Sequence, residues 1–270
     1  MLNRLAIHTM TNKPWTLAQC VDAYARAGVG GISVWRNVIQ PIGIDEAARI
    51  VRGSGLKVPA LVRGGFFPAV GEPDRLLAIE DNKRCIDEAS ALGAEMVVLV
   101  CGAVPGMPLD EARAQIHLSL SLIEPYARAN GVRLAIEPLH PMYAADRSAI
   151  NRMKEARLAC EAVPSTYLGI ALDVYHVWWD PDLADEIARA GANGTLFAYH
   201  VCDWKPNTTD LLNDRGLMGE GCIDLKGIRR TVEAAGFGGM IEVEIFSNRH
   251  WARDQNEYLA DILQAYQTLV

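Results

Sequence analysis

The residues best suited to do chemistry lie at the end of one apolar segment, residues 168–176 (LGIALDVYH). Its run of Leu, Ile and Ala is typical of a strand that is buried on both faces of a parallel sheet. The run ends in Asp173 and, three residues later, His176. Ionisable groups at the carboxyl end of such a strand point into the mouth of the fold, where barrels of this kind hold their active sites. The pair therefore marks a candidate active site.

Three more segments in the second half of the chain end in the same way. RLAIEPLH carries Glu137, LFAYHVCD carries His200 and Asp203, and MIEVEIF carries Glu242 and Glu244. Carboxylates at neighbouring strand ends repel one another unless a cation lies among them or one of them is protonated. A divalent metal ion is the simpler explanation, although any one of these residues alone could equally be a helix cap or an ion-pair partner.

The donor types indicate which ion would fit. Glu137, Asp173 and Glu244, together with His200, offer three carboxylates and one imidazole. Such a set suits Mn²⁺, Mg²⁺ or Co²⁺ in octahedral coordination and leaves two positions for substrate oxygens, with Zn²⁺ as the alternative.

Two of the four segments contain more than one candidate. Glu242 and Glu244 share a face by strand alternation, and Glu244 is nearer the carboxyl end of the strand. We expect Glu244 to be the ligand and Glu242 to lie one layer deeper, paired with an Arg or Lys. In the preceding segment we expect His200 to be the ligand, with Asp203 orienting it or contacting substrate.

The elements that position these groups alternate regularly along the chain. Eight apolar strands and eight helices follow one another at roughly thirty residues per unit, the pattern of a parallel (β/α)₈ TIM barrel. The pattern predicts a single barrel domain over residues 1–270, with one helix at 149–162 and the last at 251–268. A doubly wound open sheet is the alternative, but it would require a glycine-rich nucleotide loop, and VWRNVIQPIG is not one.

One connection is longer than a barrel needs. Residues 204–222 contain no helical or strand pattern of their own, and loops of this length are usually functional. We expect this loop to cover a substrate.

Composition excludes several classes of protein. The formal charge of −7 argues against a surface that binds nucleic acid. The six cysteines form no C-x-x-C pair, which fits a reduced, cytoplasmic protein. The first residues lack the pattern of a secretory signal, and no segment reaches the roughly 18 apolar residues that span a membrane. We therefore expect neither a nucleic-acid nor a membrane partner.

Five motifs together resemble the xylose-isomerase-like barrel superfamily, namely IEPLH, LDVYH, HVCDW, DRGLMGEGCID and VEIF. The likeness covers the whole chain and points to the sugar phosphate isomerase/epimerase group, with its tagatose and psicose 3-epimerases and its inosose and hydroxypyruvate isomerases. It implies that Glu137, Asp173, His200 and Glu244 bind one divalent cation. It also implies that His176 and Arg215 contact substrate oxygens, and that the protein forms a homo-oligomer.

The resemblance further implies an isomerase or epimerase of a keto sugar or related polyol that works through a metal-stabilised enediolate. Glu137 and Glu244 would be both ligands and the acid–base pair, one removing a proton and the other returning it on the opposite face. The alternative is a lyase or dehydratase that eliminates from a keto sugar, an inosose or a 3-keto-glycoside. A repair endonuclease of the same fold would need more histidines and a basic surface, and a non-catalytic sugar sensor would bind without metal.

Three further residues end the early strands, where the far end of a substrate would lie. They are His8, Trp35 and Arg63, and for each a purely structural role is a comparable interpretation. No segment resembles a dedicated phosphate-binding loop, although Arg63, Lys205 and Arg215 could bind an anion.

Overall fold

A computed structural model describes residues 2–270 of the chain. Eight parallel strands pair in sequence order and close into a barrel, with β8 pairing back to β1. The (β/α)₈ prediction is therefore confirmed. The strands are β1 (Leu5–His8), β2 (Gly31–Trp35), β3 (Ala60–Gly65), β4 (Met96–Val100), β5 (Arg133–Ile136), β6 (Leu168–Asp173), β7 (Leu196–Val201) and β8 (Ile241–Val243).

Helices surround the barrel and cover the outer face of the strands. They are α1 (Leu17–Arg26), α2 (Arg36–Ile39), α3 (Ile44–Arg52), α4 (Glu72–Leu92), α5 (Leu109–Ala129), α6 (Met153–Ala162), α7 (Val174–Val177), α8 (Leu183–Ala192), α9 (Leu225–Ala234), α10 (Asn248–Trp251) and α11 (Gln255–Leu269), with 3₁₀ turns at Leu2–Arg4 and Pro141–Tyr143. Among residues 2–270, none of the helices combines the length and the apolar composition needed to cross a lipid bilayer.

Burial on both faces explains why the strands read as apolar runs. All five residues of β4 (MVVLV) are buried, with one set of side chains facing the barrel interior and the other facing the helices. Helix α4, which packs against β3 and β4, ends at Gly93, whose φ of 74° is the left-handed conformation that closes many helices.

The predicted helix at 149–162 begins four residues later than expected, at Met153. The preceding residues are not helical, because the Ala149 N–H donates to the Gly102 carbonyl and the Ile150 carbonyl accepts from the Leu139 N–H, each at 2.9 Å. Long-range pairing of these residues with the loops after β4 and β5 thus replaces the helical turn that local pattern favoured.

The predicted final helix at 251–268 begins later than expected, at Gln255, and a separate short helix, α10, precedes it. The two helices are separated at Asp254, whose side chain accepts hydrogen bonds from the backbone N–H groups of Asn256 and Glu257 at 2.9 and 3.0 Å. An aspartate in this position starts a new helix because it satisfies N–H groups that lack a partner in the first turn.

The mouth of the barrel depends on a close approach between β3 and β4. Gly65 ends β3 with a φ of 105°, and a Cβ built on it would lie 1.9 Å from the carbonyl oxygen of Val100. We expect Gly65→Ala to lower the free energy of unfolding by about 3 kcal/mol or more, because the strained φ and the backbone collision add.

The matched control is Gly28→Ala, at a φ of 74° where no described atom lies within 4 Å of the added Cβ. Gly28→Ala should lower the free energy of unfolding by about 1–2 kcal/mol, because only the left-handed φ is unfavourable for the alanine. Urea denaturation of the two variants provides the measurement, and equal losses would contradict the assigned contact.

Candidate active site

Four ionisable side chains meet at the carboxyl ends of the last four strands. Asp173 ends β6, His200 lies in β7, and Glu137 and Glu244 directly follow β5 and β8. Each offers a ligand atom within 4.8 Å of those of the others, and all four residues are buried. The barrel thus brings together the four residues that the sequence predicted as ligands.

The donor atoms have the spacing that a small divalent ion requires. Nδ1 of His200 lies 3.1 Å from Oε1 of Glu137, while its Nε2 lies 3.8 Å from Glu242 and has no hydrogen-bond partner within residues 2–270. Metal–ligand bonds of about 2.1 Å place neighbouring corners of an octahedron about 3 Å apart. The other nitrogen of a ligating imidazole commonly faces a carboxylate, as it does here. These residues therefore fit a divalent cation.

Charge in the cluster is not balanced by the protein. Burial and the charges of Glu244 and Glu137 raise the pKa of Asp173 to about 7 against the opposing effect of Arg215. Burial alone would lower the pKa of His200, but Glu242, Glu137 and Glu244 raise it to about 10. The cluster takes up protons because its carboxylates outnumber the fixed positive charges beside them, and a bound cation would relieve the same imbalance.

Arg215 and His176, both predicted to contact substrate, lie directly against the four residues. Nη1 of Arg215 donates to Oδ2 of Asp173 at 2.8 Å and to Oε2 of Glu244 at 3.0 Å. Nη2 of Arg215 lies 3.2 Å from Nε2 of His176, whose Nδ1 accepts the backbone N–H of His140 at 3.2 Å. Burial and the charge of Arg215 lower the pKa of His176 well below its usual value, so the ring is neutral.

The partner predicted for Glu242 was wrong. Instead of an Arg or Lys, Oε2 of Glu242 binds Nε2 of His8 at 3.1 Å and the Ser33 hydroxyl at 2.5 Å. The reason is the closure of the barrel, which places β8 between β7 and β1 so that Glu242 pairs in register with Ala6 and His200. Burial would raise the pKa of Glu242, but His200 and His8 lower it, so its carboxylate remains charged.

His8 links the two glutamates of β8. Its Nε2 contacts Glu242, and its Nδ1 lies 3.0 Å from Oε1 of Glu244, with Nε1 of Trp35 3.1 Å from the same nitrogen. Both ring nitrogens of this fully buried residue are thus in contact with protein groups. These contacts give His8 a role in positioning Glu244 in place of the predicted substrate contact.

A cavity of about 130 Å³ opens from the cluster toward the barrel mouth. Trp35 and Arg63, both predicted to bind substrate, line it. Its remaining wall combines the ligands with aromatic, aliphatic and basic side chains, namely Phe66, Val100, Glu137, Leu139, Tyr143, Arg147, His176, Leu212, Arg215, Glu244 and Phe246. Sequence reasoning missed Tyr143 and Arg147, and the available signal was only their position in the loop after the fifth strand.

The long loop lies over this cavity, as predicted for a covering segment. Its Leu212 and Arg215 line the cavity, and the Leu211 carbonyl accepts hydrogen bonds from the hydroxyls of Tyr143 and Tyr175 at 2.9 and 2.8 Å. Lys205 is ion-paired with Asp214 inside the loop. Its charge is therefore already matched, which argues against the predicted anion contact.

The Asp203 carboxylate binds the backbone at the base of the long loop and does not contact His200. Oδ1 accepts from the backbone N–H groups of Trp204 and Ile223, at 2.9 and 3.0 Å, and Oδ2 accepts from that of Gly219 at 2.9 Å. With both oxygens bound to backbone, this buried carboxylate organises the loop, in place of the predicted contact with His200 or substrate.

We expect Asp203→Asn to destabilise the loop more than the barrel. The amide replaces one acceptor oxygen with a donor, so the N–H groups of Gly219 or Ile223 lose their charged partner, at about 1.5–3 kcal/mol. Hydrogen exchange should be faster at those two amides, while the exposed control Asp185→Asn should leave both rates unchanged. Uniform acceleration over all strands would instead indicate a global effect.

Residues 21–264 match the protein family described as "Xylose isomerase-like TIM barrel". The chain belongs to this family. The resemblance carried by the five sequence motifs is thereby confirmed.

Two relatives of this chain have named enzymatic activities. An inosose isomerase of Bacillus licheniformis is 24% identical over 200 residues, covering 71% of this chain and 68% of that protein. A 3-dehydroshikimate dehydratase of Pseudomonas aeruginosa is 27% identical over 246 residues, covering 86% of this chain but only 36% of the dehydratase.

Solved structures show the same barrel. A protein of Sinorhizobium meliloti 1021 is 48% identical with a TM-score of 0.96, covering 100% of this chain and 99% of the other. The IOLI protein, solved with a zinc atom, has a TM-score of 0.87 at 20% identity, covering 99% and 98%. D-psicose 3-epimerase has a TM-score of 0.80 at 14% identity, covering 98% and 97%. The last two likenesses extend to the fold alone.

Proposed function

We propose that this family member is a divalent-metal-dependent isomerase or epimerase of a keto sugar or related polyol. The observation that carries the proposal is the buried set of Glu137, Asp173, His200 and Glu244, with donor atoms within 4.8 Å of one another and a cavity beside them. The isomerase relatives and the psicose epimerase fold support the same reaction class.

These four residues would hold the metal. Their three carboxylates and one imidazole suit Mn²⁺, Mg²⁺ or Co²⁺, and the zinc atom of the IOLI protein keeps Zn²⁺ among the candidates. When bound, the ion would supply positive charge to a substrate carbonyl oxygen and its neighbouring hydroxyl, stabilising the enediolate that follows loss of a proton from carbon.

Glu137 and Glu244 would move that proton. They follow β5 and β8, which β6 and β7 separate, so their carboxylates approach the cavity from different sides. One group, as the carboxylate, takes the proton from carbon, and the other, as the carboxylic acid, gives its own proton to the opposite face. Proton exchange with solvent then restores both groups. One C–H bond is broken and one is formed, and the product is an isomer of the substrate.

His176 and Arg215 would orient the substrate. Nη2 of Arg215 lies 3.2 Å from Nε2 of neutral His176, and both residues line the cavity. The guanidinium has several N–H donors and the imidazole contributes a ring nitrogen, so the pair would bind a substrate hydroxyl or carbonyl oxygen.

An elimination by the same site is the second candidate. The 27% identity to a 3-dehydroshikimate dehydratase favours it, because loss of a group from the carbon next to an enediolate uses the same first step. The dehydratase reaction would yield an unsaturated product, whereas epimerisation preserves the composition of the sugar.

A deuterium-exchange screen separates the candidates. Metal-loaded protein is incubated in D₂O with D-fructose, D-psicose, D-tagatose and 2-keto-myo-inositol, followed by mass spectrometry and ultraviolet absorbance. An isomerase or epimerase incorporates deuterium at carbon without new absorbance, and a lyase generates an absorbing unsaturated product. Binding without either change would refute the proposal and favour a sensor.

A further inference from the structure

We propose that Arg63 and Arg147 form an anion-binding subsite in the cavity beside the four candidate ligands, so that the substrate carries a carboxylate or phosphate as well as its keto group. This inference rests on the proposed function, because it assumes that the keto end of the substrate lies at the four ligands. It identifies the charge class of the substrate, which the ligand set leaves open.

Both arginines line the cavity, and neither has a carboxylate partner. Within residues 2–270, neither guanidinium makes an ion pair or a side-chain hydrogen bond, although both side chains are half-buried. By contrast, Arg36 and Arg215 each bind two carboxylates. The two guanidinium groups therefore keep N–H donors free for a ligand in the cavity.

The two charges are also close enough to repel each other. Burial lowers the pKa of Arg63, and the charge of Arg147 lowers it further against the opposing effect of Glu137. Two guanidinium groups held close together without an anion repel each other. An anion bound between them attracts both, so the electrostatic energy of the group becomes favourable. Guanidinium groups bind carboxylate and phosphate oxygens in pairs of parallel hydrogen bonds, which makes these groups the matching ligand chemistry.

Local structure holds each guanidinium in place by an aromatic ring. Arg63 lies over the ring of Phe66 at 4.2 Å, and Phe66 has a φ of 54°, a conformation that costs a side-chain-bearing residue about 1–2 kcal/mol. Arg147 lies 5.3 Å from the ring of Tyr143, whose hydroxyl is bound to the Leu211 carbonyl. Strain retained at a cavity wall is typical of a binding residue, and here it places the ring beneath Arg63.

The test compares three ketoses that differ in charge. Calorimetric titration of the metal-loaded full chain uses D-fructose, D-fructose 6-phosphate and D-fructuronate. We expect at least one anionic ketose to have a dissociation constant about tenfold or more below that of fructose. A hydrogen bond to a charged group changes the dissociation constant by a factor of this size. A preference for the phosphate ester or for the uronate identifies which anion the subsite takes.

Variants assign the preference to the two arginines. Arg63→Gln and Arg147→Gln should each reduce anionic binding about tenfold or more and reduce fructose binding by a smaller factor, so that the preference for the anionic ketose is lost. Arg63→Lys and Arg147→Lys retain the charge and should keep part of the preference if a glutamine variant fails to fold. Arg26→Gln, at an exposed arginine of α1, is the matched control and should bind all three ketoses as the unaltered protein does.

Equal binding of all three ketoses, or a preference that survives both glutamine variants, would overturn the subsite. Failure of the proposed function is a separate result. In that case no ketose exchanges deuterium, while the charge preference in the titration is still measured in the same samples.

Discussion

Glu244→Gln is expected to slow deuterium exchange into a ketose about a thousandfold or more. The amide has the shape of the carboxylate, but it cannot take a proton, and general acid–base catalysis is worth 10²–10⁴-fold. It is also a weaker metal ligand, so the two losses combine. The measurement is the exchange rate per metal-loaded site, which separates loss of the base from loss of metal.

The position of Glu244 makes this variant informative. The carboxylate is held by His8 at Nδ1 and by Arg215 at Nη1, with 3.0 Å for each contact, so the amide has the same neighbours. Arg215 keeps its hydrogen bond to Asp173 in the variant, and the fold is therefore expected to persist. Glu257→Gln, an exposed glutamate of α11, is the control and should exchange at the unaltered rate. A Glu244→Gln protein with more than about a tenth of that rate would exclude this residue from proton transfer.

Asp173→Asn is expected to weaken metal binding about a hundredfold or more. Asp173 is fully buried, with a pKa raised to about 7, and in the metal complex its charge would be bound directly to the ion. The asparagine can still cap α7, because the Asp173 side chain accepts the Tyr175 N–H through one oxygen at 2.9 Å. The loss should therefore appear in metal content rather than in the fold.

Thermal unfolding with and without a chelator measures this effect. Metal at a thousand times its dissociation constant stabilises the folded state by about 4 kcal/mol, equivalent to about 10 °C in Tm for a chain of this size. Chelation should lower the Tm of the unaltered protein and of the exposed control Asp185→Asn by this amount, but lower the Tm of Asp173→Asn by only about a third of it, since metal is then at about ten times its dissociation constant. A chelator that shifts Tm equally in all three proteins would remove Asp173 from the ligand set.

The barrel and the four central residues were predictable from sequence for a physical reason. A parallel strand covered by helices must be apolar on both faces, so a polar residue at its end stands out, as Asp173 does after LGIAL. Chain order places consecutive strand ends side by side, which is why the sequence alone predicts that Glu137, Asp173, His200 and Glu244 lie together. The family motifs pointed to the same four residues.

Only the tertiary structure decided which side chains and backbone groups the buried carboxylates contact. Closure of the barrel sets β1 beside β8, and that contact gives Glu242 the imidazole of His8 instead of a lysine or arginine. Asp203 turns to the backbone of Gly219 and Ile223 because the long loop folds back onto it. The proposed subsite of Arg63 and Arg147 brings β3 together with the loop after β5. Strand ends follow the periodic local pattern of the chain, whereas side-chain contacts depend on strand register and loop paths, which are set by packing between residues far apart in sequence.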